Sequence, residues 1–273
     1  MNQKQDDYPR FTLHDSPTQE QVDFFNLNGF IHFKKFLSES QVKSTIDALI
    51  KLQTKWLEEQ VKEVNGIPIR FGLDENNEPI IHRFAFTSMH SEEIRNLVRH
   101  PAIQSLTSLL DAPDARIGEN EKDGVVVNQY VNSSNSKMKQ MGWHTDSLRD
   151  IFYGRRVLPM LNIGINLTDS KKEHGGLKVL KGTHKQSMYQ MIFRKPYYVN
   201  NEKDENEIAI EAEAGDVTVH HGHIWHRVAT SELQGKESKR ITMYIPIVCG
   251  KYTPKDENSF TPIYHRMNIF AKK

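Results

Sequence analysis

The chain has 273 residues, of which 37% are hydrophobic and 26% charged, a balance that predicts a folded protein with a sizeable core. Its formal net charge of +1 argues against binding nucleic acid phosphates over a broad surface, because such binding needs a clustered basic excess. The single cysteine, Cys249, cannot form a disulfide within the chain, so an oxidising compartment is not required. Because the N-terminus is polar and no segment approaches the length of an apolar membrane span, we expect a cytoplasmic protein.

The N-terminal part is predicted to be a loose arm over residues 1–17, followed by a mostly helical region over 18–115. The first helix is predicted in the segment SPTQEQVDFFNLNGF, with Ser16 as N-cap, Pro17 as the first helical residue and Gly29 as the stop. The alternating segment FIHFKKF then predicts a strand.

A longer helix is predicted over SESQVKSTIDALIKLQTKWLEEQVKEV, with Gly66 just past its end. Apolar residues recur in it at helical spacing and are expected to pack into the core: Val42, Ile46, Leu49, Ile50 and Leu57. The segments SEEIRNLV and PAIQSLTSLL predict two shorter helices.

After Gly124 the sequence becomes typical of short strands. Turn segments such as SSNS, EHGG, KGTH and EAGD separate the β-rich runs VVVNQYV, MLNIGINL, LKVL, DVTVHH and RITMYIPIV. No helix of convincing length lies between them, so parallel βαβ units are not expected. The prediction is a single domain over 1–273, mainly β with buttressing α-helices. It has a double-stranded β-helix (jelly roll, cupin-like) core over 124–250, a helical N-terminal half, and a C-terminal extension over 251–273.

The segment GWHTDS places His144 and Asp146 two positions apart. Such a pair by itself most often consists of polar surface residues that bind no metal. A second candidate segment, AGDVTVHHGHIWHRV, contains four histidines: His220, His221, His223 and His226. A jelly roll brings strands that are distant in sequence together, so one late histidine could join the earlier pair. Two imidazoles and one carboxylate on one face form the site preferred by non-haem Fe(II), which keeps positions open for O₂ and a co-substrate. The residues alone do not choose among the four histidines.

These segments resemble the phytanoyl-CoA dioxygenase family of Fe(II)- and 2-oxoglutarate-dependent oxygenases. The resemblance lies in TQEQVDFFNLNGFIHFKKFLSESQV, GWHTDS, INLTDSKKEHGGLKVLKGTHK and GDVTVHHGHIWHRV followed by KRITMYI, which occur in the family's order. It implies that His144, Asp146 and His226 hold the metal, and that His221 is the histidine that precedes the glycine of the family pattern. His220 and His223 are then expected in solvent or beside the ligands.

The resemblance also implies residues for the co-substrate. Arg240, at the start of the strand after His226, is expected to hold the distal carboxylate of 2-oxoglutarate. A guanidinium suits that carboxylate because it is permanently charged and donates two parallel hydrogen bonds. Thr230, Asn132 and Gln129 are further candidates for co-substrate contacts, and Asn128 is an alternative to Gln129 that depends on the register of their strand.

The implied protein is a 2-oxoglutarate-dependent non-haem iron dioxygenase that uses Fe(II), 2-oxoglutarate and O₂, with ascorbate expected to help in vitro. The implied default is hydroxylation of an unactivated C–H bond in a small molecule, with release of succinate and CO₂. That molecule would be an amino acid, a carrier-bound acid or a natural product. The family also desaturates, epimerises and cyclises. We expect a small-molecule substrate, no nucleic acid and no membrane partner, and the sequence leaves the oligomeric state open.

Three alternatives remain at this point. A halogenase of the same fold needs glycine or alanine in place of the metal-binding carboxylate, whereas Asp146 is present. A zinc hydrolase also accepts two histidines and a carboxylate, but Arg240 has no evident purpose in it. A non-catalytic module that binds metal or 2-oxoglutarate is the third.

Several neighbouring residues have structural interpretations. His174 and His184 lie in turn segments, and Trp143 and Trp225, each next to an implied ligand, are expected to pack in the core. Gly164 lies where many relatives of the family carry a larger residue. The loop SLRDIFYGRRVLP, after the ligand pair, either meets an acidic substrate or is plain surface, and its candidate contacts are Arg149, Tyr153, Arg155 and Arg156.

Overall fold

The computed structural model describes residues 8–152, 156–262 and 265. In this part of the chain the helices are α1 (Gln19–Asn28), α2 (Glu39–Glu58), α3 (Thr87–His90), α4 (Glu92–Val98), α5 (Pro101–Ser105), α6 (Arg149–Phe152) and α7 (Met188–Phe193). The strands are β1 (Phe30–Phe33), β2 (Glu63–Val64), β3 (Ile67–Pro68), β4 (Arg70–Leu73), β5 (Pro79–Phe84), β6 (Arg116–Ile117), β7 (Val126–Tyr130), β8 (Met141–His144), β9 (Leu161–Asn166), β10 (Gly176–Leu180), β11 (Glu207–Ala209), β12 (Val217–His221), β13 (His226–Ala229) and β14 (Arg240–Val248). None of these helices is both long enough and apolar enough to cross a membrane.

Two antiparallel sheets form the core. The main sheet has the order β1-β12-β9-β14-β7-β5-β4, with β6 on the far end of β14, and the second sheet has the order β11-β10-β13-β8. Most neighbouring strands are distant in sequence, as in a jelly roll. The predicted fold class is therefore confirmed.

The main sheet separates a polar inner face from an apolar outer face because successive strand side chains alternate. On β7, Val126, Asn128 and Tyr130 line a cavity between the two sheets, while Val127 joins the apolar core on the other face. Helix α2 covers this outer face through Leu49, Leu52 and Trp56, which belong to the same core. The helices therefore buttress the sheet, and the polar residues are left facing the cavity.

Helix α1 begins two residues later than expected from Ser16 and Pro17. Its N-cap is Thr18, whose hydroxyl accepts a hydrogen bond from the Gln21 backbone N–H, while the Gln21 side chain accepts one from the Thr18 backbone N–H. This reciprocal capping box outweighs the preference for proline at the first position. Gly29 ends the helix as predicted, in the left-handed conformation with φ 79°.

Helix α2 ends at Glu58 rather than just before Gly66. Asn65 and Gly66 both have positive φ and form the tight turn of the hairpin β2–β3. An Asn-Gly pair is the strongest short hairpin signal, so the prediction of a helix end at Gly66 was wrong. Ile50, expected in the core, is 54% exposed, because the buried stripe of the helix instead runs through Leu52 and Trp56.

The region 18–115 contains more strand than its helical interpretation allowed. Strand β1 lies in the segment FIHFKKF, as predicted, and pairs with β12. The hairpin β4–β5, which was not predicted, extends the main sheet beyond β7. The hairpin turn is built by Asp74, whose carboxylate accepts backbone hydrogen bonds from Asn76 and Glu78. The core of the jelly roll thus draws strands from both halves of the chain.

The Gly-Asp pair before β12 fixes the corner where the N-terminal segment meets the sheet. Gly215 has φ 94°, and a Cβ on it would lie 2.5 Å from the Leu37 carbonyl oxygen, so only glycine fits. The buried carboxylate of Asp216 accepts hydrogen bonds from His32 Nε2 at 2.9 Å and from the backbone N–H of Lys35 at 2.7 Å. It also accepts one from the Glu213 backbone N–H at 2.9 Å.

We expect Asp216→Asn to lower the free energy of unfolding at neutral pH by about 3 kcal/mol, because it breaks a buried, hydrogen-bonded charge. Burial favours the neutral acid, but the hydrogen bonds from His32 and the backbone outweigh it and lower the pKa of Asp216. The stability from this group is therefore present above the unfolded carboxyl pKa of about 3.9 and is lost as the pH falls through the lower folded value.

The measurement is urea unfolding of both proteins between pH 7 and pH 3. The difference between wild type and Asp216→Asn should shrink at the acid end. Asp47→Asn, which changes a half-exposed carboxylate paired with Lys43, is the control and should leave stability nearly unchanged. A difference that stays constant down to pH 3 would contradict the lowered pKa.

Candidate metal centre

The pairing of β8 with β13 brings the two implied histidine ligands together. His144 and His226 are direct partners in the antiparallel register, and their ring centroids lie 4.0 Å apart. Asp146 follows two residues after His144, with its Oδ2 3.6 Å from His226 Nε2 and its Oδ1 4.0 Å from His144 Nε2. All three side chains are buried. They are the one group in the described part of the chain whose potential ligand atoms lie within 4.8 Å of one another.

Backbone carbonyls fix which nitrogen of each ring faces the centre. His144 Nδ1 donates to the Gly142 carbonyl at 2.7 Å, and His226 Nδ1 donates to the Ile224 carbonyl at 3.1 Å. A carbonyl can only accept, so each Nδ1 carries the hydrogen and each Nε2 keeps its lone pair. Such outer hydrogen bonds are the usual way that proteins orient histidine ligands of metals.

The protonation states also match those of a metal site. Burial lowers the pKa of His144 to about 4 and lowers that of His226 well below its usual value. Burial opposes ionisation of Asp146, but His226, the His220 hydrogen bond, Arg149 and His144 together hold its pKa well below the usual value. Two neutral imidazoles and an ionised carboxylate are the forms that bind a divalent metal, so the donor set fits Fe(II).

Two residues of the opposite sheet hold the Asp146 carboxylate. Its Oδ2 accepts hydrogen bonds from Asn162 Nδ2 at 2.6 Å and His220 Nε2 at 3.2 Å. Asn162 and His220 are register partners on β9 and β12, so they present their side chains side by side on the inner face. His220, expected in solvent or beside the ligands, is 2% exposed and contacts the ligand Asp146. The sequence did not identify Asn162.

A segment before β11 forms a further wall of the metal site, which the sequence did not predict. Tyr198 stacks on the His144 ring with centroids 4.5 Å apart and planes at 21°, and the Tyr197 hydroxyl donates to the Thr145 carbonyl. The Tyr198 backbone lies so close to the ligand strand that a Cβ on Gly142 would be 2.7 Å from its carbonyl oxygen. This approach explains the glycine of GWHTDS. Trp143 is buried, as expected.

The triad lines a cavity with about 680 Å³ of empty space, part of it open to solvent. A narrower chamber adjoins it. Four residues line both spaces: Tyr130, Leu177, Val228 and Tyr244. Arg240 lines the narrower chamber.

Arg240 is a buried cation without a carboxylate partner in the described part of the chain. It is 4% exposed, donates from Nη2 to the Ala229 carbonyl at 2.9 Å, and lies over the Tyr130 ring at 5.0 Å. Its Nε has no hydrogen-bond partner among the described residues. Burial lowers the pKa of Arg240, yet a guanidinium stays protonated at neutral pH. An unpaired buried charge is costly, so the chamber is suited to an anion.

The other three co-substrate candidates lie outside the residues that line these two spaces. Asn132 Nδ2 donates to the carbonyls of Ser231 and Leu233 and so holds the loop before Arg240. Gln129 Nε2 donates to the Ile81 carbonyl on the outer face of the sheet, and the Thr230 hydroxyl donates to Gln140 Oε1. Strand alternation explains Gln129, since its neighbour Asn128 is the residue that faces the cavity.

Of the four loop residues that were candidates for contact with an acidic substrate, Arg149 lines the triad cavity and Arg156 is exposed. Tyr153 and Arg155 lie outside the described residues. Gly164 lies beside the narrower chamber, where a Cβ would be 2.9 Å from the Thr218 hydroxyl.

We expect alanine at His144, Asp146 or His226 to abolish tight Fe(II) binding. His220→Ala should weaken it by about 10- to 100-fold, because Asp146 loses a hydrogen bond that orients it. The measurement is an anaerobic Fe(II) titration, with circular dichroism to confirm folding. His223→Ala is the control, since its ring packs on His221 rather than on the triad. Wild-type affinity in His220→Ala would show that the hydrogen bond does not orient the ligand.

Two comparisons with known proteins gave matches. The model of the family described as phytanoyl-CoA dioxygenase (PhyH) matches residues 25–231. The carbocyclase SnoK from nogalamycin biosynthesis, described as non-haem and α-ketoglutarate-dependent, has a similar structure. The TM-score is 0.62 at 19% identity, over 91% of this chain and 90% of that one. HygX from Streptomyces hygroscopicus, solved with iron bound, gives a TM-score of 0.61 at 14% identity over 88% and 89%.

The epimerase SnoN, also from nogalamycin biosynthesis, gives a TM-score of 0.60 at 17% identity, over 84% of this chain and 82% of that one. No curated protein matches the chain. At these identities the solved structures show the fold, whereas the family model covers most of the chain, including both ligand segments. The chain therefore belongs to the phytanoyl-CoA dioxygenase family, the group of non-haem iron, 2-oxoglutarate-dependent enzymes that its motifs resemble.

Proposed function

We propose that this enzyme hydroxylates an unactivated C–H bond of a small-molecule metabolite and converts 2-oxoglutarate to succinate and CO₂. The observation that carries the proposal is Arg240, a buried guanidinium without a carboxylate partner in the described chain, in a chamber that adjoins the triad. The guanidinium would bind one carboxylate of 2-oxoglutarate, and a metal held by the triad would bind the other end. A zinc hydrolase has no use for the buried guanidinium of Arg240.

The cofactors are Fe(II) and 2-oxoglutarate, and the residues divide their binding. His144, Asp146 and His226 would hold the iron, which when bound supplies redox chemistry with O₂. Arg240 would bind the distal carboxylate of 2-oxoglutarate through charge-assisted hydrogen bonds. These bonds are stronger in a dry chamber than in water, because the local dielectric constant is low.

Neutral polar groups accompany Arg240 in the chamber. Burial raises the pKa of Tyr244 to about 12 and that of Tyr130 further, so both phenols stay protonated at neutral pH and can donate to an anion. Thr242 and Asn166 also line this space. They are our proposed additions to the co-substrate site, where the sequence suggested Thr230, Asn132 and Gln129.

The substrate is proposed to lie in the wider part of the cavity, next to the triad. Tyr198, Val126 and Pro246 line it there, together with the charged residues described below. The walls orient the substrate and exclude water from the reacting bond. Desaturation, epimerisation and cyclisation use the same site, and similar structures include a carbocyclase and an epimerase. Hydroxylation is the outcome we propose, and Asp146, with its carboxylate in the triad, argues against halogenation.

We expect Arg240→Ala to weaken 2-oxoglutarate binding by roughly 30-fold to several thousand-fold, the effect of removing one partner of a buried charged pair. Arg240→Lys should recover only part, because it keeps the charge and loses the fork. Fe(II) binding should survive in both variants. The measurement is the anaerobic titration of the iron–2-oxoglutarate charge-transfer band.

Arg99→Ala is the matched control for that titration, since this arginine is exposed and pairs with Glu119. If wild type, Arg240→Lys and Arg240→Ala share one midpoint, Arg240 does not bind the co-substrate. Lys239, the residue that precedes Arg240, would then be the candidate.

The reaction itself is tested by mass spectrometry of a metabolite extract incubated with the Fe(II)-loaded protein, 2-oxoglutarate, O₂ and ascorbate. Hydroxylation adds one oxygen atom to a metabolite, in step with succinate formation. Loss of two hydrogens would indicate desaturation, and an unchanged mass would indicate epimerisation. His226→Ala is the inactive control. Absence of succinate above that control, with and without the extract, would favour the non-catalytic binding module.

A further inference from the structure

The wider part of the cavity contains a second buried arginine whose charge is only partly compensated. Arg83 on β5 lines the same space as the triad and is 7% exposed. Its Nη2 donates to Asp123 Oδ2 at 2.7 Å, which fixes the guanidinium. Its Nη1 has no hydrogen-bond partner among the described residues. Buried polar groups are nearly always paired, so an unpaired guanidinium nitrogen beside a cavity points to a ligand.

Among the described residues, the charges around Arg83 leave a local excess of one positive charge. Asp123 is shared, because the same Oδ2 accepts a hydrogen bond from Arg149 Nη1 at 3.1 Å. One carboxylate thus serves two guanidinium groups. His265 also contacts Asp123, with its Nε2 3.4 Å from Oδ1, but burial lowers its pKa, so it adds no charge at neutral pH. The excess is confined to a buried place, where solvent screens it little.

The other cations of the cavity wall are already engaged. Lys122 Nζ donates to Asp150 at 2.8 Å. Arg149, besides Asp123, donates from Nε to the Asp146 carbonyl and lies 3.8 Å from its carboxylate. Arg83 is therefore the lining cation with an unpartnered nitrogen within the described chain.

Neither the metal nor the co-substrate removes this excess. An Fe(II) ion, the Asp146 carboxylate and the chelating carboxylate of 2-oxoglutarate sum to zero charge. The distal carboxylate is matched by Arg240, which lines the other chamber, whereas Arg83 does not line that chamber. The charge at Arg83 is left for a different molecule.

We propose that Arg83 binds an oxyanion group, a carboxylate or a phosphate, on the substrate that this enzyme oxidises. That this anion belongs to the substrate rests on the proposed function, whereas the anion site itself does not. Asp123 positions Arg83, whose Nη1 has no partner within the described chain. Arg83 lies opposite Asn128 in the sheet, and Asn128, which also faces the cavity, offers an amide beside it. A substrate that carries an acidic group is held by that group, so the bond to be oxidised is oriented toward the triad.

The test compares two aromatic oxyanions with a neutral amide that has nearly the shape of the carboxylate. Benzoate, benzamide and phenyl phosphate are titrated calorimetrically into the protein loaded with Fe(II) and saturating 2-oxoglutarate, without oxygen. We expect benzoate or phenyl phosphate to bind at least tenfold more tightly than benzamide. The tighter of the two acids then identifies carboxylate or phosphate as the group. Equal binding of the acids and the amide, or no binding of any probe, would overturn the proposal.

Variants assign the site. Arg83→Gln should weaken binding of the preferred acid at least tenfold and leave benzamide and 2-oxoglutarate affinities unchanged. Asp123→Asn keeps an amide oxygen that can accept the hydrogen bond from Arg83 Nη2 and removes the negative charge. It should therefore bind the acid at least as well as wild type, and it serves as a second variant if Arg83→Gln folds poorly. Arg99→Gln removes the same charge at an exposed position and should change nothing.

Two results would overturn the assignment: unchanged acid binding in Arg83→Gln, or weaker acid binding in Asp123→Asn. A loss of 2-oxoglutarate affinity in Arg83→Gln that matches the loss in Arg240→Ala would also overturn it, because Arg83 would then belong to the co-substrate site. If the wild-type protein fails to load Fe(II) and 2-oxoglutarate, the proposed function fails. The same probe titrations on the metal-free protein then test the anion site by itself, with Arg240→Gln to exclude binding in the other chamber.

Discussion

The pairing of β8 with β13 is the constraint on which the site depends. It places His144 directly opposite His226 and so fixes two ligands at once through backbone hydrogen bonds rather than through flexible side chains. The third ligand follows two residues later and is held from the facing sheet by Asn162 and His220. A slip of one residue in this pairing would turn a ligand away from the cavity, because strand side chains alternate. The geometry of the centre is therefore a property of the sheet register.

The same alternation explains how one sheet supports both stability and chemistry. Its outer face carries the apolar side chains that pack against α2, and its inner face carries asparagine, tyrosine, threonine and histidine. Burial of so many polar groups is unfavourable unless they find partners. Some are paired within the protein, as Asn162 and His220 are with Asp146. Others, on Arg240 and Arg83, lack partners in the described chain and mark where bound molecules are expected.

Two buried arginines line different parts of the cavity, so its two parts attract anions separately. Arg240 lies in the narrow chamber, and Arg83 lines the wider part with the triad. Charges this deep interact strongly with anions, because little water is present to screen them. The arrangement favours a dianionic co-substrate at one end and an acidic substrate at the other, each selected by a fixed guanidinium. The metal centre lines the part of the cavity that both would reach.

The sequence determined the fold class and six of the fourteen described β-strands, because these depend on local alternation and on turn residues. With the family resemblance it also gave His144, Asp146 and His226, which the structure brings together, and Arg240, which it buries in the adjoining chamber. Two local predictions were wrong. Gly66 lies in a hairpin turn and does not end a helix, and Thr18 caps α1 in place of Ser16. Only the tertiary structure decided which neighbours face the cavity. A shift of one residue in strand register separates Asn128 from Gln129, and no local pattern records that shift. Likewise, the contacts of His220, Asn162, Tyr198 and Arg83 join segments far apart in the chain, so their roles appear only once the sheets are assembled.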